Sequence, residues 1–194
     1  MKKIILASNS PRRKEILENL NIKFDIISPD ADEDSVDKTL PAHLYVENLA
    51  SIKAFAAVKK TALEKIVIGA DTVVTLDDKF LLKPKGEEDA FNMLKSLSGR
   101  SHSVYTGICV VNSHTAQSCI AYEKTDVYFR KLSDDEIISY IKTGECMDKA
   151  GAYGIQGLGC IFIEKINGDY FNVVGLPVCR LAKILKEEFC VDIL

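Results

Sequence analysis

The sequence predicts an α/β fold, and three stretches carry that expectation. Ile4-Ile5-Leu6-Ala7, then Ser8-Asn9-Ser10-Pro11-Arg12-Arg13, then Ile16, Leu17 and Leu20 read as strand, tight turn and amphipathic helix. The apolar run Ile66–Val74 reads as a central strand covered on both faces. Runs with helical spacing, one near residues 40–60 and others further on, alternate with strand-like runs along the rest of the chain.

In the first unit, Ser10 suits the N-cap and Pro11 the first helical position. Arg12 and Arg13 then fall at the positive end of the helix dipole, where each is unfavourable by roughly 0.3–1 kcal/mol. Two readings stand: an anion bound by free N–H groups, Ser8, Ser10 and the guanidinium groups, or a solvated helix start. Lys23–Ser28 reads as a second strand, leading into the acidic loop Asp30-Ala31-Asp32-Glu33-Asp34. That loop is either solvated or the source of a carboxylate for a metal ion.

The helix over residues 40–60 places Val46, Leu49, Ile52 and Ala56 on one face, with Pro41 near its start. Lys53 borders that stripe, either snorkelling to water or turned to a functional use. Asp71 interrupts the central strand. An ionised carboxylate there needs a partner or a metal, unless the strand bends at Gly69 and presents it to water. Either way it stands at the end of a central strand, where α/β folds place ligands.

Asp77-Asp78 reads as a turn, and Leu81–Gly86 as a short extended segment and loop. A helix follows with Phe91, Leu94 and Leu97 on one face and Gly99 at its C-terminal end. Val104–Val111 and Cys119–Phe129 are expected to form a hairpin. Ser133-Asp134-Asp135-Glu136 is a capping-box pattern for a helix that Gly144 ends. Next comes the glycine-rich loop Lys149–Gly159, which permits close backbone approach to a ligand but spells no Walker or dinucleotide motif. Cys160–Ile166 and Asp169–Val174 are expected to pair as a hairpin around Asn167-Gly168, and a last helix starts near Pro177.

The 194 residues, 47% hydrophobic and 27% charged, are ordinary for a soluble globular protein. A net charge of −3 argues against a general nucleic-acid-binding role, so any positive site is local. No apolar run approaches the length of a membrane span. Lys2 and Lys3 precede an apolar run that stops at Ala7, too short for a secretory signal. Six cysteines without a C-x-x-C pair read as free buried thiols in a reducing cytoplasm. His43, His102 and His114 lack metal-ligand spacing.

Arg12, Arg13, Lys53 and Lys83, with Glu33 and Asp71, form the mixture that a polyphosphate with a divalent metal needs: cations for non-bridging oxygens, carboxylates for metal and water. The blocks Ser8-x-Ser10-Pro11-Arg12-Arg13, Gly69-Ala70-Asp71-Thr72, Lys83-Pro84, Leu97-Ser98-Gly99, Lys149–Gly157 and Gly168–Pro177, in this order, closely resemble the Maf family over essentially the whole chain.

The resemblance implies one domain over residues 1–194, with a mixed twisted sheet, flanking helices and two lobes around a central cleft, like the inosine triphosphate pyrophosphatases. It implies a nucleoside triphosphate pyrophosphatase that releases a monophosphate and pyrophosphate, needs Mg²⁺, Mn²⁺ or Co²⁺, and forms homodimers. It puts the catalytic carboxylate on Asp71, the phosphate-binding cations on Arg13, Lys53 and Lys83, and a further acidic position on Glu33; with the helix-start reading this gives Ser8 and Ser10 as further phosphate ligands, and Glu33 and Asp71 as the metal ligands. Arg12, Thr72 and Gln156 match the subgroup acting on dTTP and UTP. The other reading is a nucleotide-sensing regulator of septum formation with little turnover.

Overall fold

The structure, a computed structural model, describes residues 3–61 and 64–193, so Lys2 lies outside the described residues. The strands are β1 (Lys3–Ala7), β2 (Phe24–Ile26), β3 (Lys65–Leu76), β4 (Lys79–Leu81), β5 (Ser101–Asn112), β6 (Ser118–Phe129) and β7 (Ile163–Asn167). The helices are α1 (Pro11–Asn19), α2 (Ala42–Val58), α3 (Glu87–Leu97), α4 (Asp134–Ile141), α5 (Tyr170–Val174) and α6 (Val178–Phe189). The fold is mixed α/β, with a seven-stranded sheet ordered β2-β1-β3-β5-β6-β7 and β4 paired to β3. β1 pairs with β2 and β3 in parallel, whereas β3–β4 and β6–β7 are antiparallel.

The chain builds two compact units. The first holds residues up to Asp71, Thr106–Glu123 and the stretch from Gly175 on; the second holds Thr72–Tyr105 and Lys124–Val174. The first unit's core joins Ile5, Val67, Cys109 and Val111 to Ala50, Ala54 and Ala57 of α2. Those alanines make α2 smooth where it meets the sheet. A Cβ on Gly69 of β3 would lie 2.3 Å from the Ala50 carbonyl oxygen, and one on Gly107 of β5 equally close to that of Val46. The helix therefore rests directly on bare strand backbone. The second unit's core packs Leu94, Leu97, Val127, Phe129, Tyr153 and Phe162 together.

Most expected elements are present, several with shifted bounds. The second strand is shorter than Lys23–Ser28, the central strand runs on to Leu76, and Asp77 and Asp78, both with positive φ, close the β3–β4 turn. The capping box of α4 forms as expected, Ser133 and Glu136 exchanging both hydrogen bonds.

The hairpin around Asn167-Gly168 does not form. β7 instead returns to pair with β6, with Val127 opposite Ile166, and Tyr170–Val174 is helical. Side-chain hydrogen bonds decide this. Thr125 Oγ1 accepts from the Asp169 N–H and donates to the Asp169 carbonyl, at 3.0 and 2.9 Å. Asp169 Oδ1 then accepts from the Phe171 N–H at 2.8 Å, an N-terminal cap. Asn172, fully buried, donates to Thr125 Oγ1 and the Val104 carbonyl. A stretch as short as Asp169–Val174 does not itself distinguish helix from strand, and these bonds favour helix.

The cysteine expectation needs correcting too. All six are free, but only Cys109 and Cys146 are buried, while Cys160, Cys179 and Cys190 are exposed. Burial pushes the Cys109 thiol up to about 11, so it packs as a small apolar group. Among the described residues no helix is long and apolar enough to cross a membrane.

Candidate active site

The β1–α1 turn is built as the sequence suggests. Ser10 has extended dihedral angles and caps the Arg13 N–H, with Pro11 at the helix start. The two arginines differ in setting. Arg12 is half-buried, whereas Arg13 is buried, its Nε donating to the Gly175 carbonyl at 2.7 Å and its Nη1 to Ser8 Oγ at 3.1 Å. Ser8 Oγ also accepts from the Ser10 N–H at 3.2 Å. Arg13 thus ties the turn to the segment before α6. Burial lowers its proton affinity, and the field of Asp71, followed by that of Glu33, opposes the shift.

Lys53 does not snorkel. It is 8% exposed, and its Nζ donates to Asp71 Oδ1 at 2.5 Å and pairs with Glu33 Oε2 at 3.0 Å. The packing of α2 on β3 sets this pair. Gly69 and Asp71, two apart on a strand, point to the same face. That is the face on which Ala50 and Ala54 touch Gly69, and Lys53 sits between those alanines in sequence. Without the close approach at Gly69, the Lys53 ammonium would stand further from the carboxylate. Asp71 therefore neither bends to water nor stands unpaired. Glu33 comes from the acidic loop, in a short 3₁₀ turn at Glu33–Ser35, and its side chain is 55% exposed.

Two carboxylates gathered on one ammonium are hard oxygen donors held close together. A divalent cation such as Mg²⁺ is commonly held by one or two carboxylates plus water and substrate phosphate, so Asp71 and Glu33 fit one. Among the described residues no group of three or more His, Cys, Asp or Glu forms a complete protein cage.

Thr72, Lys83 and Gln156 belong to the second unit. Thr72 is half-buried in β3, and Lys83 is exposed after β4. Gln156 is half-buried, directly before the 3₁₀ turn Gly157–Phe162. Among the described residues the side chains of Lys83 and Gln156 make no hydrogen bond.

The second unit also holds polar groups that motif reading missed. Glu145 Oε2 accepts from the Leu158 N–H at 2.9 Å, and Oε1 from the Gly159 N–H at 3.1 Å and the Tyr140 hydroxyl at 2.9 Å. Burial alone would raise the Glu145 pKa, but the Leu158 and Gly159 N–H groups and Tyr140 outweigh it, and the net shift is downward. His102, 3% exposed, shares a 2.7 Å hydrogen bond between its Nε2 and the Tyr153 hydroxyl, and burial drives its pKa down to about 4. Neither residue lies in a short pattern that separates it from an ordinary polar residue.

An α/β fold with buried lysine and arginine, paired carboxylates and a serine-lined helix start is that of an enzyme built for phosphate chemistry. The family comparison narrows this class. A profile described as Maf-like protein matches residues 3–188, and the chain belongs to that family. It is 54% identical to the dTTP/UTP pyrophosphatase of Caldanaerobacter subterraneus subsp. tengcongensis, over 96% of this chain and 89% of that protein. It is 50% identical to the dTTP/UTP pyrophosphatase of Alkaliphilus metalliredigens over the full length of both. Among solved structures, a HAM1 protein from Coxiella burnetii aligns with a TM-score of 0.45 at 22% identity, covering 66% of this chain and 73% of that one.

Proposed function

We propose that this chain is a nucleoside triphosphate pyrophosphatase that hydrolyses dTTP and UTP to the monophosphate and pyrophosphate. The observation that carries the reading is the Lys53 ammonium held between Asp71 and Glu33, in the field that also reaches Arg13. Relatives at 54% and 50% identity bearing the same activity support it. A protein that only sensed nucleotide would not need a catalytic carboxylate.

In this reading Asp71 is the catalytic carboxylate. It lies two residues past the parallel pairing of β3, which ends at Gly69, and is oriented by Lys53, so one oxygen is fixed while the other can take a proton from the attacking water. Lys53 has three donors, two already on carboxylates, and the third is available to a phosphate oxygen. Ser8, Ser10 and Arg13 are further phosphate ligands in this reading, with Arg13 also holding the turn in shape, and Lys83 is proposed as a phosphate-binding cation from the second unit. A divalent cation bound by Asp71 and Glu33 would polarise the phosphoryl oxygens and offset the charge of the leaving pyrophosphate.

Arg12, Thr72 and Gln156 select the base. Uracil and thymine present acceptor, donor and acceptor at O4, N3 and O2, and Gln156 carries both an acceptor and a donor. Cytosine exchanges the first two and leaves buried groups mismatched. The reading takes residues 1–194 as one functional domain, working as a homodimer in the cytoplasm.

Chromatography of a UTP reaction with Mg²⁺ tests the cleavage. UMP with pyrophosphate is expected as the primary product pair; UDP with orthophosphate would reject the proposal.

A further inference from the structure

We infer that Glu145 is a positioning residue for base selection: its carboxylate fixes the loop that carries Gln156. The inference rests on the proposed role of Gln156 and adds what holds that residue in place.

Gln156 precedes a 3₁₀ turn whose first N–H groups have no intrahelical partner. Glu145 supplies the missing acceptors. Its two oxygens take the N–H groups of Leu158 and Gly159, the second and third residues after Gln156, at 2.9 and 3.1 Å. The carboxylate is itself oriented by the Tyr140 hydroxyl, and Lys149 Nζ donates to the Glu145 carbonyl.

Gly157, next to Gln156, has φ +76, and a Cβ there would lie 2.7 Å from Glu145 Oε2. The loop therefore closes directly over the carboxylate, and Gln156 rides on the closed turn with its side-chain amide making no hydrogen bond among the described residues. On the other side of Gln156, Tyr153 anchors the loop through His102. An amide that reads hydrogen-bond polarity must be held to a fraction of an ångström, and a glycine-rich segment does not hold itself.

All three groups around Glu145 donate to it, so charge and shape are both required. Glu145→Gln keeps the shape but sets an NH₂ against an N–H or hydroxyl donor. This substitution should lower the ratio of kcat/KM for UTP over CTP by at least about tenfold, mainly through KM for UTP, since no reacting atom touches Glu145. In a Gln156→Ala background the same substitution should leave the ratio unchanged, because Glu145 acts through Gln156. Amide exchange at Leu158 and Gly159 should speed up in the Glu145→Gln protein.

Equal falls for UTP and CTP, or a ratio that still falls without Gln156, would overturn the inference. If Glu145→Gln does not fold, Gly157→Ala displaces the carboxylate from the opposite side, and an unchanged ratio there overturns it equally. The controls separate this inference from the reading beneath it. If wild type prefers UTP and Gln156→Ala loses the preference while Glu145→Gln keeps it, only the inference fails. A wild type indifferent to UTP and CTP removes both.

Discussion

The two compact units solve the same problem, holding a polar side chain still, in different ways. In the first, Lys53 and Asp71 stand on a helix and a strand pressed together at Gly69, and opposite charges lock the geometry. In the second, Gln156 stands on an irregular loop, and one carboxylate, Glu145, gathers the loop's backbone N–H groups. Regular elements position a group through packing of the whole element, so no extra ligand is needed. A glycine-rich loop has no such packing and borrows its order from a side chain elsewhere in the chain. The first arrangement suits chemistry that needs fixed charge; the second suits reading a base by neutral hydrogen bonds.

The largest effect expected from breaking this comparison lies in the first unit. Asp71→Asn keeps the shape but loses the proposed base and metal ligand, so turnover should fall by about 10²–10⁴-fold or more with an unchanged circular dichroism spectrum. A variant retaining a tenth of wild-type rate at saturating Mg²⁺ would remove Asp71 from the central role. In the second unit Gln156→Glu replaces a donor by an acceptor. Hydrolysis of UTP and dTTP should then fall on the order of 10³-fold while hydrolysis of CTP falls much less. Parallel falls for both bases would show that the loop does not read them.

Gly69→Ala tests whether backbone packing sets the carboxylate–lysine pair. The new methyl would meet the Ala50 carbonyl at 2.3 Å, so the helix must move. The cost should be about 3 kcal/mol, read as a lower unfolding midpoint, with a drop in kcat as Lys53 leaves Asp71. Stability lost without any loss of kcat would separate the packing from the site.

A smaller effect distinguishes the buried polar pair of the second unit. The unfolded chain protonates His102 near pH 6.5, whereas the folded protein does so only near 4. The unfolded state therefore binds more protons between these values. Stability should be complete above about pH 6.5 and decline as the pH falls toward 4, by about 2–3 kcal/mol at most. Urea midpoints across that range should decline less in His102→Gln. An equal decline in both proteins would place the loss in other groups.

The residues of the candidate site stood out in the sequence because local rules were visibly broken there. Two arginines at a helix start, an aspartate in an apolar strand and a lysine beside an apolar stripe are each locally unfavourable; the aspartate and the lysine pair with one another, and Arg13 is buried against the Gly175 carbonyl and Ser8. The strands and helices with clear periodicity, and the capping box at Ser133, were legible for the same reason: their signals lie within a few neighbouring residues.

What only the tertiary structure decided involves residues far apart in the chain. Asn167-Gly168 carries a strong local hairpin signal, yet Thr125 and Val104 hold Asp169 and Asn172 so that Tyr170–Val174 becomes a helix instead. Glu145 and His102 look like ordinary polar residues until Leu158, Gly159 and Tyr153 meet them. Gly69 reads as a possible bend, and its use appears only when α2 lies on it. Sequence by itself determines what a residue can donate, accept or tolerate locally. Which partner meets it depends on how distant segments pack, because a buried donor or acceptor must be matched by whatever the fold brings near.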